Sequence, residues 1–229
     1  MLLILFDIDG TLLTSNGMGR ISITEALGGV CGREISARGV SFSGRTDPAI
    51  VRDMLKSAAF SQAEIDELMS SCLESYASHL VEHLSPDDIT LLPGISEVVH
   101  DLSHRSDIRL GLLTGNLELT ALAKLRAGGL EEYFSFGAFG SDHEDRNELP
   151  PVAIARANSI CDHDFSPHQT VIIGDTEHDI SCSRASGVHA VAVSTGRIPH
   201  DTLESCEPDL LLKDLSDPGP LYEFFDGLR

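Results

Sequence analysis

Two aspartates one residue apart, Asp7 and Asp9, follow the apolar run Leu2-Leu3-Ile4-Leu5-Phe6 and precede Gly10-Thr11. A run of that length reads as a central parallel strand covered on both faces, and open α/β sheets place their chemistry at the carboxyl ends of such strands. Carboxylates this close repel unless they share a cation or a proton, which predicts either a hard metal such as Mg²⁺ or a strongly raised pKa. The fragment alone is equally an ordinary turn after a strand.

Two further segments shift that balance. Arg109-Leu110-Gly111-Leu112-Leu113 is a second short apolar stretch, and Thr114-Gly115-Asn116 at its end offers a hydroxyl, close backbone approach at the glycine and an amide. Such groups can hold phosphate oxygens, although Thr-Gly-Asn is also a common turn. Thr170-Val171-Ile172-Ile173-Gly174 then delivers Asp175, with Asp179 four residues later at the start of a helix. Asp175 can complete an oxygen-rich metal site. Asp179 can order the adjoining loop or a metal-bound water, or serve as a plain helix cap.

In this order, Asp7-x-Asp9-Gly10-Thr11, Thr114-Gly115-Asn116 and Gly174-Asp175-x3-Asp179 resemble the haloacid dehalogenase superfamily of phosphotransferases, from Asp7 to about Gly196. The resemblance implies Asp7 as a nucleophile forming an aspartyl-phosphate, Asp9 as general acid and base, and Thr114 with Gly115 and Asn116 at the phosphate. It also implies Mg²⁺ held by Asp7, Asp175 and the Asp9 backbone carbonyl. A second acid is chemically apt, because a leaving alkoxide must be protonated and a water later activated. Family members acting as dehalogenases lack the second aspartate and transport ATPases carry Thr there, so Asp9 points to a phosphatase or phosphomutase.

The family pattern also has a lysine ahead of the helix leading into the last motif strand. The chain's three lysines, Lys56, Lys124 and Lys213, all fall outside that interval. Arg146, in Asp145-Arg146-Asn147-Glu148, is the cation in the right place, and it can grip phosphate oxygens bidentately. Its alternative is a solvated partner of Asp145 or Glu144. Lys124, in the helix after Asn116, is expected to matter little.

The elements that must carry these residues follow from spacing. At 229 residues and 41% hydrophobic, the chain can bury a large core. From Thr11 to Arg109 runs roughly one hundred residues, far more than a single crossover helix needs. The excess reads as helices over 22–30, 47–57 and 62–84. The remainder reads as helices over 96–103, 117–127 and 152–160, with strands over 134–139, 189–193 and 209–212. The expected fold is therefore a doubly wound α/β parallel sheet of five or six strands, with core residues 1–14 and 88–229 and a helical cap over 15–87. A helical insertion at this point resembles the C1-capped subgroup, which includes phosphoglycolate-phosphatase-like enzymes, β-phosphoglucomutases and phosphonatases. Within it, Ser43-Gly44-Arg45-Thr46-Asp47 offers Arg45 as a substrate contact, against a plain helix cap by Thr46 or Asp47.

The formal charge of −20 lacks any compensating basic run, which disfavours nucleic acid and anionic membranes as partners. No apolar run reaches the ~18 residues of a membrane helix, and Leu2–Phe6 lacks the features of a signal peptide. Five scattered cysteines without Cys-x-x-Cys argue for reduced thiols and against zinc, and the ten histidines show no ligand spacing. The leading expectation is a cytoplasmic, Mg²⁺-dependent phosphatase of a small phosphorylated metabolite. A β-phosphoglucomutase-type phosphomutase is the alternative in chemistry, and a noncatalytic binding module the alternative in class.

Overall fold

The computed structural model describes residues 1–228. Its centre is β1 (Leu2–Phe6), every residue of which is buried. Alternation along the strand sends Leu2, Ile4 and Phe6 into one hydrophobic layer and Leu3 and Leu5 into the opposite one, the signature of a sheet covered on both faces. After it come β2 (Leu13–Thr14), then α1 (Met18–Cys31), α2 (Asp47–Ser57) and α3 (Gln62–His83), then β3 (Thr90–Leu91). The rest alternates: α4 (Ile95–Ser103), β4 (Ile108–Leu113), α5 (Glu118–Ala127), β5 (Gly137–Ala138), α6 (Leu149–Ile160), β6 (Thr170–Gly174), α7 (Glu177–Ser186), β7 (His189–Val193), α8 (His200–Ser205), β8 (Leu210–Leu212) and α9 (Gly219–Gly227).

The main sheet has six parallel strands in the order β5-β4-β1-β6-β7-β8. Register decides where the chemistry falls. Phe6 pairs with Leu112 on one side and Ile173 on the other, so the three chains leave the sheet together and bring Asp7, Thr114 and Asp175 to one edge. The Asp7 N–H still donates to the Ile173 carbonyl at 2.9 Å, which extends the ladder to the first carboxylate.

The inserted all-helical cap packs on a core of its own, with Ile23, Leu27, Ile50, Met54, Ile65 and Leu80 buried together. Its helices start where their caps dictate. Ser61 and Glu64 form a reciprocal capping box on α3, and the Thr46 hydroxyl accepts from Ala49 N–H on α2, followed by Pro48 in the first turn. Both cap connections run through a two-stranded antiparallel ribbon, Leu13 paired with Leu91 and Thr14 with Thr90.

Several expected boundaries move. The 134–139 strand shrinks to Gly137–Ala138 because Glu131–Tyr133 coils into a 3₁₀ turn and only two residues pair with β4. The first cap helix begins at Met18, four residues early, behind Gly17 in the left-handed region at φ 95°. The helix expected at 152 starts at Leu149, since prolines at its first positions need no N–H partner. Of the cysteines, Cys72 and Cys182 are buried and the others partly so, all as free thiols. No helix among the described residues is long and apolar enough to cross a membrane.

Candidate active site

The β1 exit turns sharply after Asp9. Gly10 takes φ 88°, and a side chain at Gly10 or Gly196 would collide with the Asp175 carboxylate, so the two glycines let the backbone close around that acid. The Thr11 hydroxyl donates to Asp175 Oδ1 at 3.1 Å, and the Thr195 hydroxyl to the Gly10 carbonyl at 2.6 Å. Asp7, Asp175 and Asp179 are all buried, and each offers a carboxylate oxygen within 4.8 Å of the others. Burial pushes the Asp7 carboxyl up to about 6 against the opposing pull of Arg146, with Asp179 and Asp9 raising it further. Burial likewise raises Asp175 well above the usual carboxylate range, helped by its neighbours Asp7 and Asp179. Three acids thus share one strong cation. An oxygen-only donor set with excess negative charge fits a hard divalent ion.

That cation is Arg146, 6% exposed, with Nη2 at 2.5 Å from Asp179 Oδ1 and 3.2 Å from Asp7 Oδ1. Burial disfavours its charge, yet the carboxylates of Asp179 and Asp7 more than offset this and hold the guanidinium protonated. The solvated reading of Arg146 is therefore excluded. Its Nε is buried without a hydrogen-bond partner among the described residues. Asp179 is both a cap and a site residue: its Oδ2 accepts from the Thr176 N–H and hydroxyl at 3.0 and 2.7 Å, closing a capping box on α7, while Oδ1 takes Arg146.

On the other side of the mouth, the buried Thr114 hydroxyl accepts from Asn116 Nδ2 at 2.8 Å, and the same amide donates to Asp9 Oδ2 at 2.7 Å. Gly115 is required because a side chain there would strike the Arg45 carbonyl of the cap. Asp47 N–H donates to the Gly115 carbonyl at 2.7 Å, and the Asp47 carboxylate accepts from Leu117 N–H at 2.8 Å at the start of α5. Arg52 clamps Glu144 at 2.7 and 2.9 Å, and the Thr46 hydroxyl donates to the Glu144 carbonyl at 2.6 Å. The cap is docked onto the motif turns.

Arg45 lines the same cleft, but its guanidinium is held by Asp53 at 2.9 Å, and Thr46 serves as the helix cap. Lys124 corrects the sequence reading. Its ammonium, expected away from the chemistry, is buried 2.6 Å from Asp9 Oδ2 and 2.6 Å from Asn116 Oδ1. The signal was available: Thr120, Ala121, Lys124 and Leu125 are the buried residues of α5, so a scarce lysine falls on an inward stripe. Asp47, read from the sequence only as a possible helix cap, and Tyr76, which the sequence did not single out, also face the cleft. Together with Asp7, Asp9, Arg45, Thr114, Gly115, Asn116, Lys124, Arg146 and Asp175 they line one cleft of about 330 Å³, which Arg20, Phe42, Ile50 and Arg197 also line.

A parallel sheet that gathers three carboxylates, a buried arginine and a hydroxyl under a helical lid defines a hydrolase of the haloacid dehalogenase type. Residues 4–193 match the haloacid dehalogenase-like hydrolase family, and the chain belongs to that family. It is 25% identical to pyrophosphatase PpaX of Bacillus pumilus, covering 93% of each chain. It is also 25% identical to phosphoglycolate phosphatase of Vibrio vulnificus, over 93% of this chain and 92% of that one. In fold it is similar to a β-phosphoglucomutase from Clostridium difficile, with TM-score 0.70, 17% identity, and coverage of 100% and 96%.

Proposed function

We propose that the protein is a Mg²⁺-dependent phosphatase that hydrolyses a small phosphate monoester through a phosphorylated Asp7. The supporting observation is the contrast between the surroundings of two carboxylates one residue apart. Asp7 is buried among Arg146, Asp175 and Asp179, whereas the Asp9 side chain is 42% exposed, turned into the cleft and held by Asn116 and Lys124. One environment suits a nucleophile, the other an acid and base. The relative named phosphoglycolate phosphatase agrees with this reading, and the one named pyrophosphatase agrees with phosphoryl hydrolysis more broadly.

In this mechanism an Asp7 oxygen attacks phosphorus and the bond to the leaving oxygen breaks. Asp9 protonates that oxygen. Asp9 then takes a proton from water as the water attacks the phosphorus of phospho-Asp7, which frees phosphate and restores the carboxylate. Thr114 and the turn at Gly115 and Asn116 hold the phosphoryl oxygens on one side, and Arg146 offsets charge on the other. The carboxylates of Asp7 and Asp175 with the Asp9 carbonyl would hold Mg²⁺, Asp179 standing behind them; the ion would neutralise the charge that otherwise keeps phosphate and carboxylate apart. The docked cap keeps bulk water out and contacts the leaving group, Arg45, Arg20 and Phe42 being cap residues that line the cleft. We assign the cap to residues 15–87 and the catalytic core to 1–14 and 88–229.

The test is hydrolysis of p-nitrophenyl phosphate with and without Mg²⁺, followed by a panel of phosphorylated metabolites scored by kcat/KM. Turnover must require the metal, and a folded protein inert toward every ester would overturn the assignment.

A further inference from the structure

The Lys124 ammonium has only hydrogens to give, and two of its partners are fixed: Asp9 Oδ2 and Asn116 Oδ1, both at 2.6 Å. Because Lys124 takes the Asn116 carbonyl, the amide nitrogen of Asn116 must face the other way. It does so, donating to Asp9 Oδ2 at 2.7 Å and to the Thr114 hydroxyl at 2.8 Å. One carboxylate oxygen of Asp9 therefore carries two donors, one of them charged. Among the described residues no side-chain or backbone donor engages the other oxygen, Oδ1. Rotation of the carboxylate would break both bonds.

Lys124 is in turn enclosed by the cap. The charge of Asp47, on α2, acts on it, and Asp47 also receives the N–H of Leu117 at the head of the helix that carries Lys124. Gly19 on α1 lies close beside it: a Cβ there would be in ordinary contact, 3.8 Å from the Tyr76 hydroxyl and 3.9 Å from the Lys124 ammonium. Only 3% of the Lys124 side chain reaches solvent. A lysine that merely neutralised surface charge would not be buried at this cost.

We propose that Lys124 is a positioning residue: with Asn116 it pins Asp9 Oδ2, presents Oδ1 as the oxygen that exchanges the proton with leaving group and water, and keeps that orientation only while the cap is docked over it. This rests on the reading of Asp9 as acid and base. The effect runs through Asp9, so it must vanish when Asp9 can no longer do its work.

A double-mutant cycle with Asp9→Asn reads this directly. Lys124→Met keeps the stem and removes the charge. With p-nitrophenyl phosphate, whose good leaving group keeps Asp9→Asn measurable, and saturating Mg²⁺, Lys124→Met should lower kcat by about 30- to 100-fold with KM within about threefold, the range expected when a reacting group is misplaced. In the Asp9→Asn background the same change should alter kcat by less than about twofold. Lys124→Arg should regain part of the loss, and it replaces Lys124→Met in the cycle, read against wild type, should a thermal melt show Lys124→Met unfolded. Equal losses in both backgrounds, or a kcat within about threefold of wild type in the single variant, would overturn the proposal while leaving the phosphatase reading intact. An Asp9→Asn enzyme as active as wild type would overturn both this proposal and the assignment of Asp9 as acid and base.

Discussion

Arg146 Nη2 bridges Asp179 Oδ1 at 2.5 Å and Asp7 Oδ1 at 3.2 Å, so one buried guanidinium ties the end of the first strand to the first turn of α7. Without it, three buried carboxylates would face one another with no internal countercharge. Arg146→Ala should lower kcat/KM by about two to three orders of magnitude, as expected for one preorganised electrostatic donor. Arg146→Lys should recover part of that, because charge is kept and the two-carboxylate grip is lost. Steady-state kinetics on purified protein, with a thermal melt to confirm folding, checks both.

Asp7→Asn and Asp9→Asn should fail differently. The first removes the proposed nucleophile and a proposed charged metal ligand, so turnover and Mg²⁺ affinity should both collapse. The second should be severely slowed yet still bind the ion, since the ligand proposed at that position is a backbone carbonyl. Calorimetric Mg²⁺ titration beside turnover separates them, and loss of metal binding in a folded Asp9→Asn variant would contradict the ligand assignment.

Metal binding should be pH-dependent in a defined direction. Asp7 is raised to about 6 by burial, and Asp175 is raised as well, so below that range the protonated acids must release protons before an ion can bind. Apparent Mg²⁺ affinity should therefore fall as pH drops through 6, by about tenfold per unit for one displaced proton and more for two. Titrations at pH 5 and 7.5 give the slope. A flat profile would show these carboxylates to be ionised without the ion.

Asp47 supplies a stability test away from the metal. Burial raises it to about 6, opposed by Lys124 and by the Leu117 N–H, so its ionised form disfavours the folded state relative to an unfolded value of 3.8. Its contribution is most favourable below the unfolded value and is lost as pH rises through 6. Relative to wild type, Asp47→Asn should gain about 1–2 kcal/mol between pH 5 and pH 7.5. Urea unfolding in chelator at the two pH values measures this.

The motif turns were legible because each ends a strand-length apolar run, and a parallel register then converges them with no further information. Arg146 was legible only through the family resemblance, as the cation in the interval where that pattern has a lysine, and its grip on Asp179 was not. Lys124 was hidden because eight residues of sequence, wound into the start of a helix, return its ammonium to the turn at Asn116. Asp47 and Tyr76 were hidden for a related reason. They belong to the cap, and a polar group under a lid is recognised only once the lid's docking is known. β5 was overextended because its phenylalanines fill the core from irregular backbone rather than from a strand.

The ribbon joining cap to core has a consequence for how such a protein can change. Leu13 and Thr14 pair with Leu91 and Thr90, Leu92 N–H donates to the Leu12 carbonyl at 3.1 Å, and Asn16 spans to the Asp88 carbonyl at 3.1 Å. The roughly 75 residues between Thr14 and Thr90 thus leave and re-enter at adjacent positions, and to the sheet they amount to one long hairpin. Everything beyond the ribbon can therefore be lengthened, shortened or exchanged while the strands bearing the carboxylates keep their register.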